Sequence, residues 1–348
     1  MTSLRSALKS ATALAAFSLS FPLASWAEEP LPVVATFSIL GDMVERIGGE
    51  HIALTTLVGP DGDTHVYQPT PKAARSVAEA DVLFLNGLEF EGWLERLAES
   101  ASFDGAMVVA TKGVVPIAFD DHDDHDDHDD HDDHDDHDDH DDHADHDDHD
   151  DHDDHDDHDD HDNHDDHAGH DHGAFDPHAW LSLENAVIYA NNIAAGLAQA
   201  DPENAGDYYA NRATFISEIE TLSADIEAMM KSLPADKRTV VTPHDAFGYF
   251  AATYDLTFVA PQGMSTDSEV AAGDVAALIT QIREDSISAV FIESITDNRM
   301  MEQIANETGA TIGGTLYSDA LSAQSGPAST YLDMMRHNAT TLFDALGN

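Results

Sequence analysis

Apolar positions near the start of the chain alternate between two spacings. Residues 33–37 form a short apolar, β-branched run, which is typical of a buried strand. The apolar residues that follow recur at intervals of three and four, as on one face of a helix: Leu40, Met43, Val44 and Ile47. The same reasoning predicts strands over 52–58, 81–85 and 107–111, and helices over 71–79 and 90–99. This βα alternation predicts a parallel sheet covered by helices.

The same alternation returns in the last third of the chain. Strands are predicted over 239–242, 256–260, 289–292 and 311–316. The clearest helix between them has one apolar face, formed by Val275, Leu278, Ile279 and Ile282. We therefore expect an α/β protein with two similar lobes, each a parallel sheet flanked by helices.

A long helix is predicted between the two lobes. Asp201, Pro202 and Glu203 resemble a helix start, with a capping carboxylate, a proline in the first turn and an acidic residue after it. Apolar residues spaced mostly by three or four continue to Leu233, and a helix of about 30 residues would be roughly 45 Å long. Such a helix could run along both lobes as a rigid spine, the alternative being an ordinary surface helix. The predicted organisation is an N-terminal lobe over 28–200, a linking helix over 201–234 and a C-terminal lobe over 235–348.

Residues 1–27 have the features of a secretory signal peptide. Arg5 and Lys9 make a basic start, an apolar run covers 11–23, and Ser25-Trp26-Ala27 fits a small-x-small cleavage site. The apolar run is shorter than the roughly 20 residues that a helix needs to cross a bilayer. The chain contains no cysteine, and so neither a disulfide nor a cysteine for lipid attachment. We expect a soluble periplasmic protein that is not a lipoprotein and has no transmembrane helix.

Residues 120–172 repeat the unit Asp-Asp-His and hold 18 of the 23 histidines of the chain. With almost no apolar residue, this segment cannot bury enough surface to offset chain entropy, so we expect a disordered loop inserted into the first lobe. The net charge of −55, much of it from this segment, argues against nucleic acid or an anionic membrane as partner. Imidazoles beside carboxylates predict many weak sites for divalent metal ions, the alternative being a solubilising spacer.

Four residues outside the repeat form a candidate metal site. His65 lies in "GPDGDTHVYQPTP", His178 in "DPHAWLS", His244 in "VVTPHDAFGYF" and Asp319 in "GGTLYSDALS". Three of them follow predicted strands, and open α/β sheets bind ligands at the carboxyl ends of parallel strands. Three imidazoles and one carboxylate, two residues from each lobe, would make a tetrahedral set of three nitrogens and one oxygen suited to zinc.

The four motifs, together with "TYLDMMRHN" near the C-terminus, resemble those of the cluster A-I solute-binding proteins, the periplasmic zinc and manganese receptors of ABC importers. The resemblance implies two α/β lobes joined by a rigid helix and metal held in the cleft between them, with His65, His178, His244 and Asp319 at the ligand positions. It also implies delivery of the metal to a membrane permease that a cytoplasmic ATPase drives. Manganese-binding members tend to carry a glutamate at the third position, so His244 favours zinc. A histidine-rich loop before the second ligand is likewise a feature of the zinc receptors.

Other residues near the predicted strand ends leave alternatives open. Glu293 follows a strand and could replace Asp319, although a bond to backbone is the simpler role for it. Asp245 or a backbone carbonyl could orient an imidazole through its second ring nitrogen. His51 and His337 are expected to be surface or packing residues rather than ligands.

The leading hypothesis is a periplasmic receptor that captures Zn²⁺ in the cleft and delivers it to an ABC-importer permease, with the repeat as an auxiliary zinc collector or buffer. The alternatives are a manganese or iron receptor of the same family, an extracellular metal-buffering or adhesion protein, and a zinc hydrolase. We expect the protein not to be an enzyme, because four protein ligands leave no open coordination position. The expected partners are zinc ions and the permease, with a periplasmic metallochaperone kept open, no nucleic acid, and a monomeric state.

Overall fold

The computed structural model describes residues 29–118, 175–268 and 270–347. The predicted signal peptide and the Asp/His repeat lie outside these residues. Within the described ranges, no helix combines the length and the apolar character needed to span a bilayer.

The first lobe is built on a parallel four-stranded sheet. Its strands are β1 (Leu31–Phe37), β2 (Ile52–Val58), β3 (Val82–Leu85) and β4 (Ala106–Val109), in the order β2-β1-β3-β4. Its helices are α1 (Ser38–Gly48), α2 (Pro71–Ala78), α3 (Leu94–Ala101) and α4 (Leu183–Ala200). The predicted apolar face of α1 is fully buried against the sheet, and the hydroxyl of Thr70 caps α2 by accepting from the backbone N–H of Ala73.

The second lobe repeats this arrangement. Its strands are β5 (Thr239–Val241), β6 (Thr257–Val259), β7 (Ala289–Glu293) and β8 (Thr311–Leu316), all parallel and in the order β6-β5-β7-β8. Its helices are α6 (Gly248–Tyr254), α7 (Ala272–Glu284), α8 (Arg299–Thr308) and α9 (Tyr331–Leu346). The predicted α/β class with two similar lobes is confirmed. In each sheet the second strand along the chain pairs with one edge of the first strand, and the third strand pairs with its other edge. This change of direction creates a crevice at the carboxyl ends of the strands.

A long helix, α5 (Ala205–Lys231), joins the lobes. Its 27 residues correspond to about 40 Å, and it packs against α1 and α4 of the first lobe and against α6 and α9 of the second. The helix begins later than the sequence predicted, because Asp201 does not cap it. Instead the Asp201 carboxylate accepts from the backbone N–H of Asn204 and from the hydroxyl of Tyr208, at 3.3 and 2.6 Å, and so holds a turn before the helix.

One half-buried carboxylate connects the two lobes beside this helix. Asp42 lies on α1 of the first lobe, and its Oδ2 accepts from the backbone N–H of Tyr331 in the first turn of α9, at 2.9 Å. Burial raises the pKa of Asp42 from its ordinary 3.8 to about 6, against the lowering effect of that hydrogen bond. The protonated carboxyl therefore stabilises the folded state fully below pH 3.8, and this contribution is lost as the pH rises through about 6.

Asp42→Asn is expected to remove this pH dependence, because the amide keeps an acceptor for Tyr331 without the buried charge. Between pH 4.5 and 7.5 the metal-free wild type should lose about 2 kcal/mol of unfolding free energy that the variant retains. Urea unfolding at the two pH values measures the difference. The exposed Asp104→Asn serves as the control, and parallel pH profiles for wild type and Asp42→Asn would contradict the assignment.

Candidate metal centre

The structure brings together the four residues that the sequence analysis selected. His65 follows β2, His178 lies in the turn before α4, His244 follows β5, and Asp319 follows β8. Each offers one donor atom, and these four atoms all lie within 4.8 Å of one another. The side chain of His65 is 6% exposed and the other three are completely buried. The cluster therefore lies between the lobes, with two residues from each.

The distances from Asp319 to the three imidazoles match those within a coordination sphere. The Nε2 atoms of His65, His178 and His244 lie 3.2, 3.5 and 3.3 Å from the nearer carboxylate oxygen of Asp319. A tetrahedral ion with ligand bonds of about 2.0–2.1 Å would hold its donors roughly 3.3 Å apart. All three Nε2 atoms and both oxygens of Asp319 are buried and have no hydrogen-bond partner among the described residues. Because buried polar atoms are nearly always bonded, this set fits a cation at its centre.

The carboxylate of Asp319 offers more than the single oxygen that the sequence predicted. Its Oδ2 lies near His65 and His244, whereas its Oδ1 lies near His178. Three nitrogens and one or two oxygens are therefore available to one ion.

Two carboxylates orient the imidazoles through their second nitrogens. Nδ1 of His178 lies 2.8 Å from Oδ1 of Asp176, and Nδ1 of His244 contacts the carboxylate of Glu293. Glu293 also accepts from the backbone N–H of His244, at 3.4 Å, and from the hydroxyl of Ser318, at 3.0 Å. A ring whose Nδ1–H donates to a carboxylate presents Nε2 as the acceptor atom. Such pairs fix the tautomer and raise the basicity of the donor nitrogen.

The neighbouring acids lie at different places around the cluster. Glu293 does not stand in for Asp319, since it faces the far side of an imidazole. Asp245 was a candidate for orienting an imidazole, but Asp176 and Glu293 take that role, and the backbone N–H of Asp245 bonds to the loop after β6. The role of Asp176 could be inferred from the sequence, because Asp176 lies only two residues before His178. Its Oδ1 also accepts from the backbone N–H of His178, at 2.9 Å.

Aromatic rings and a turn position the two histidines that the first lobe contributes to the cluster. The backbone N–H of His65 donates to Oδ1 of Asp63 at 2.9 Å, and the ring of His65 meets the ring of Phe90 edge to face with centroids 5.0 Å apart. The ring of Trp180 lies 5.3 Å from that of His178 and 4.8 Å from that of Phe90. These apolar walls exclude water from one side of the cluster, which strengthens electrostatic interactions inside it.

The electrostatics of the cluster favour a cation. Burial opposes ionisation of Asp319, but the adjacent imidazoles of His244 and His178 hold its pKa well below the usual range. Burial alone would lower the pKa of His244, yet the charges of Glu293 and Asp319 raise it well above the usual range. Buried negative charge thus attracts either protons or a metal ion to the same point.

The two remaining histidines of the described residues lie elsewhere. Nε2 of His51 pairs with Asp207 at 2.9 Å near the surface. Nε2 of His337 lies 3.0 Å from the carbonyl oxygen of Thr315. Neither belongs to the cluster.

Comparisons with known proteins agree on one family. The family model described as zinc-uptake complex component A, periplasmic, matches residues 33–345. The chain is 28% identical over 319 residues to the manganese-binding lipoprotein MntA of Halalkalibacterium halodurans, covering 91% of this chain and 89% of the relative. It is 29% identical over 315 residues to the iron-binding protein YfeA of Yersinia pestis, covering 90% and 86% of the two chains.

Solved structures share the two-lobed fold. A manganese-bound periplasmic metal binding protein of Candidatus Liberibacter asiaticus matches with a TM-score of 0.69 and 27% identity, over 90% of this chain and 98% of that one. The periplasmic zinc binding protein TroA of Treponema pallidum matches with a TM-score of 0.73 over 92% and 99% of the two chains, at 24% identity. The second likeness concerns the fold alone.

Proposed function

This chain belongs to the ZnuA family of periplasmic zinc-uptake components, and we propose that it captures Zn²⁺ between its lobes and delivers it to the permease of an ABC importer. The family consists of substrate-binding receptors of metal ABC transporters, which implies a membrane permease as partner. The observation that carries the proposal is the cluster of four buried side chains from both lobes, whose donor atoms have no other partner among the described residues. His65, His178, His244 and Asp319 are the proposed ligands.

The choice of zinc rests on the donor set. Relatives are named for manganese and iron, and structural neighbours for manganese and zinc. Three imidazole nitrogens with one carboxylate favour zinc, whereas manganese prefers sites richer in oxygen. The pairing of His178 and His244 with carboxylates makes these nitrogens stronger donors, which supports the same choice. A manganese or iron receptor is the alternative.

The Asp/His repeat is proposed as an auxiliary zinc collector. It lies outside the described residues, but the residues that flank it support this role by their position. Ala118 and Phe175 form an antiparallel bridge, so the described residues that flank the repeat on either side lie next to each other. Phe175 precedes the proposed ligand His178 by three residues.

Calorimetric competition between Zn²⁺ and Mn²⁺ tests the proposal on metal-free protein, both as the full chain and without residues 120–171. We expect one tight site in both, with zinc preferred at least about 100-fold because zinc binds nitrogen donors more strongly. Further weak sites should appear in the full chain alone. Manganese bound as tightly as zinc would favour the alternative receptor, and equal stoichiometry in the two chains would refute the proposed role of the repeat.

Several expectations from the sequence stay predictions for this chain: a monomeric state, a periplasmic metallochaperone as further partner, and the absence of enzymatic activity. A periplasmic or extracellular location agrees with the family. Some relatives are named as lipoproteins. This sequence contains no cysteine, and we expect that it differs from those relatives in not being a lipoprotein.

A further inference from the structure

The loop that carries His65 contacts the second lobe through two carboxylates. Asp61 donates its backbone N–H to the carbonyl oxygen of Leu321 at 2.8 Å and accepts from the backbone N–H of Ala323 at 3.2 Å. Asp63 accepts from the hydroxyl of Thr266 at 2.6 Å. The first contact reaches the segment that follows Asp319, and the second reaches the loop after β6.

Asp63 divides its two oxygens between the lobes. Oδ1 accepts from the backbone N–H of His65 at 2.9 Å, and Oδ2 accepts from Thr266. A single carboxylate is thus bonded both to the residue that supplies a donor nitrogen and to the opposite lobe. Any movement that separates the lobes at this point pulls on the turn that positions His65.

Thr266 is itself tied to His244. The loop after β6 forms a parallel bridge between Gln262 and His244. The side-chain amide of Gln262 donates to the carbonyl oxygens of Thr266 and Ser268, at 2.8 and 2.7 Å. Bonded contacts therefore run from His65 through Asp63 and Thr266 to His244, around one side of the cluster.

We propose that the hydrogen bond between Thr266 and Asp63 is a latch across the cleft that sets the rate at which the bound metal ion leaves. The inference rests on the proposed function, since it assumes that the cluster holds a metal. An ion can leave only if a ligand withdraws or the lobes part. On the side of His65, this bond breaks when the lobes part or when the backbone turn that carries His65 withdraws. Thr266 and Asp63 act as positioning residues, because neither contributes a donor atom to the cluster.

Thr266→Val tests the latch, because valine keeps the shape of threonine and removes the hydroxyl. Zinc is loaded at one equivalent on the full chain, and its slow release to an excess of chromogenic chelator is followed by stopped flow. We expect release to become about tenfold faster, the effect of losing one hydrogen bond to a charged group. The association rate should change little, which a merely structural role would not predict.

Three further variants sharpen the test. Thr266→Ser keeps the hydroxyl and should release zinc within about twofold of the wild-type rate. Ser265→Ala removes a hydroxyl from the same loop, where it bonds to Asp267 rather than across the cleft, and should behave likewise. In an Asp63→Ala background, Thr266→Val should add no further acceleration, because the bond is already lost.

Failure of the latch and failure of the proposed function give different results. If Thr266→Val and Ser265→Ala release zinc at the same slow rate, the latch is overturned and the metal site stands. A full chain with no slow phase of zinc release overturns the proposed function itself.

Discussion

His244→Ala is expected to weaken zinc binding at the cleft about a thousandfold, the largest effect that we predict for a single substitution. The change removes one of three nitrogen donors and leaves the buried carboxylate of Glu293 without its imidazole partner. A zinc site with four protein ligands contributes about 10–16 kcal/mol, so one ligand accounts for roughly 2.5–4 kcal/mol, or about two to three orders of magnitude in a binding constant. Competition for Zn²⁺ against a chelator of known affinity measures the loss.

A surface histidine provides the matched control. His51→Ala removes an imidazole that pairs with Asp207 outside the cluster and should leave the tight site unchanged. Asp319→Asn gives a second, nearly isosteric test of the ligand set, and we expect a comparable loss. If His244→Ala retains zinc affinity within tenfold of the wild type while folding normally, the proposed coordination is wrong.

Glu293→Gln is expected to weaken zinc binding about 10- to 100-fold, although Glu293 supplies no ligand atom. Glutamine keeps the size of the side chain and its contact with Nδ1 of His244, but it lacks the charge that raises the basicity of the ring. The free energy of unfolding of the metal-free protein should fall as well, because removing one partner of a buried charged pair leaves the other without compensation. Zinc competition and urea unfolding on the same samples separate the two effects.

The exposed Glu302 of α8 offers the matched control, and Glu302→Gln should bind zinc as the wild type does. Asp176→Asn should act in the same direction as Glu293→Gln, through His178. Unchanged affinity in both variants would mean that these carboxylates hold the fold and contribute little to the donor strength of the imidazoles.

Much of the fold was predictable because it depends on local spacing. The bounds predicted for β2 and β8 agree with the structure, and three of the four residues of the apolar face predicted on α7 are buried. Helix starts were less predictable. At α5 the propensity of Asp201 to cap a helix was overridden by its hydrogen bonds to Asn204 and Tyr208.

The candidate ligands were predictable for a second reason. A histidine or aspartate just after a strand of a parallel sheet lies at the edge where ligands bind, and the resemblance to a family placed all four in known motifs. Their partners were harder to find. The contact of Asp176 with His178 could have been inferred, because the two residues are two positions apart. Glu293 is 49 residues from His244, and the sequence does not show which residue it contacts.

The sequence by itself determined the two parallel sheets and the helix between them, because burial of apolar residues follows their periodicity along the chain. It also singled out four candidate donor side chains, by their position after strands and by the resemblance to a family. Only the tertiary structure decided which carboxylate faces which imidazole, that both oxygens of Asp319 face the cluster, and that Asp63 meets Thr266 across 203 residues. Hydrogen bonds and metal coordination depend on distances of a few tenths of an ångström. Such distances are set by how the two lobes pack against each other, and no local spacing in the chain contains them.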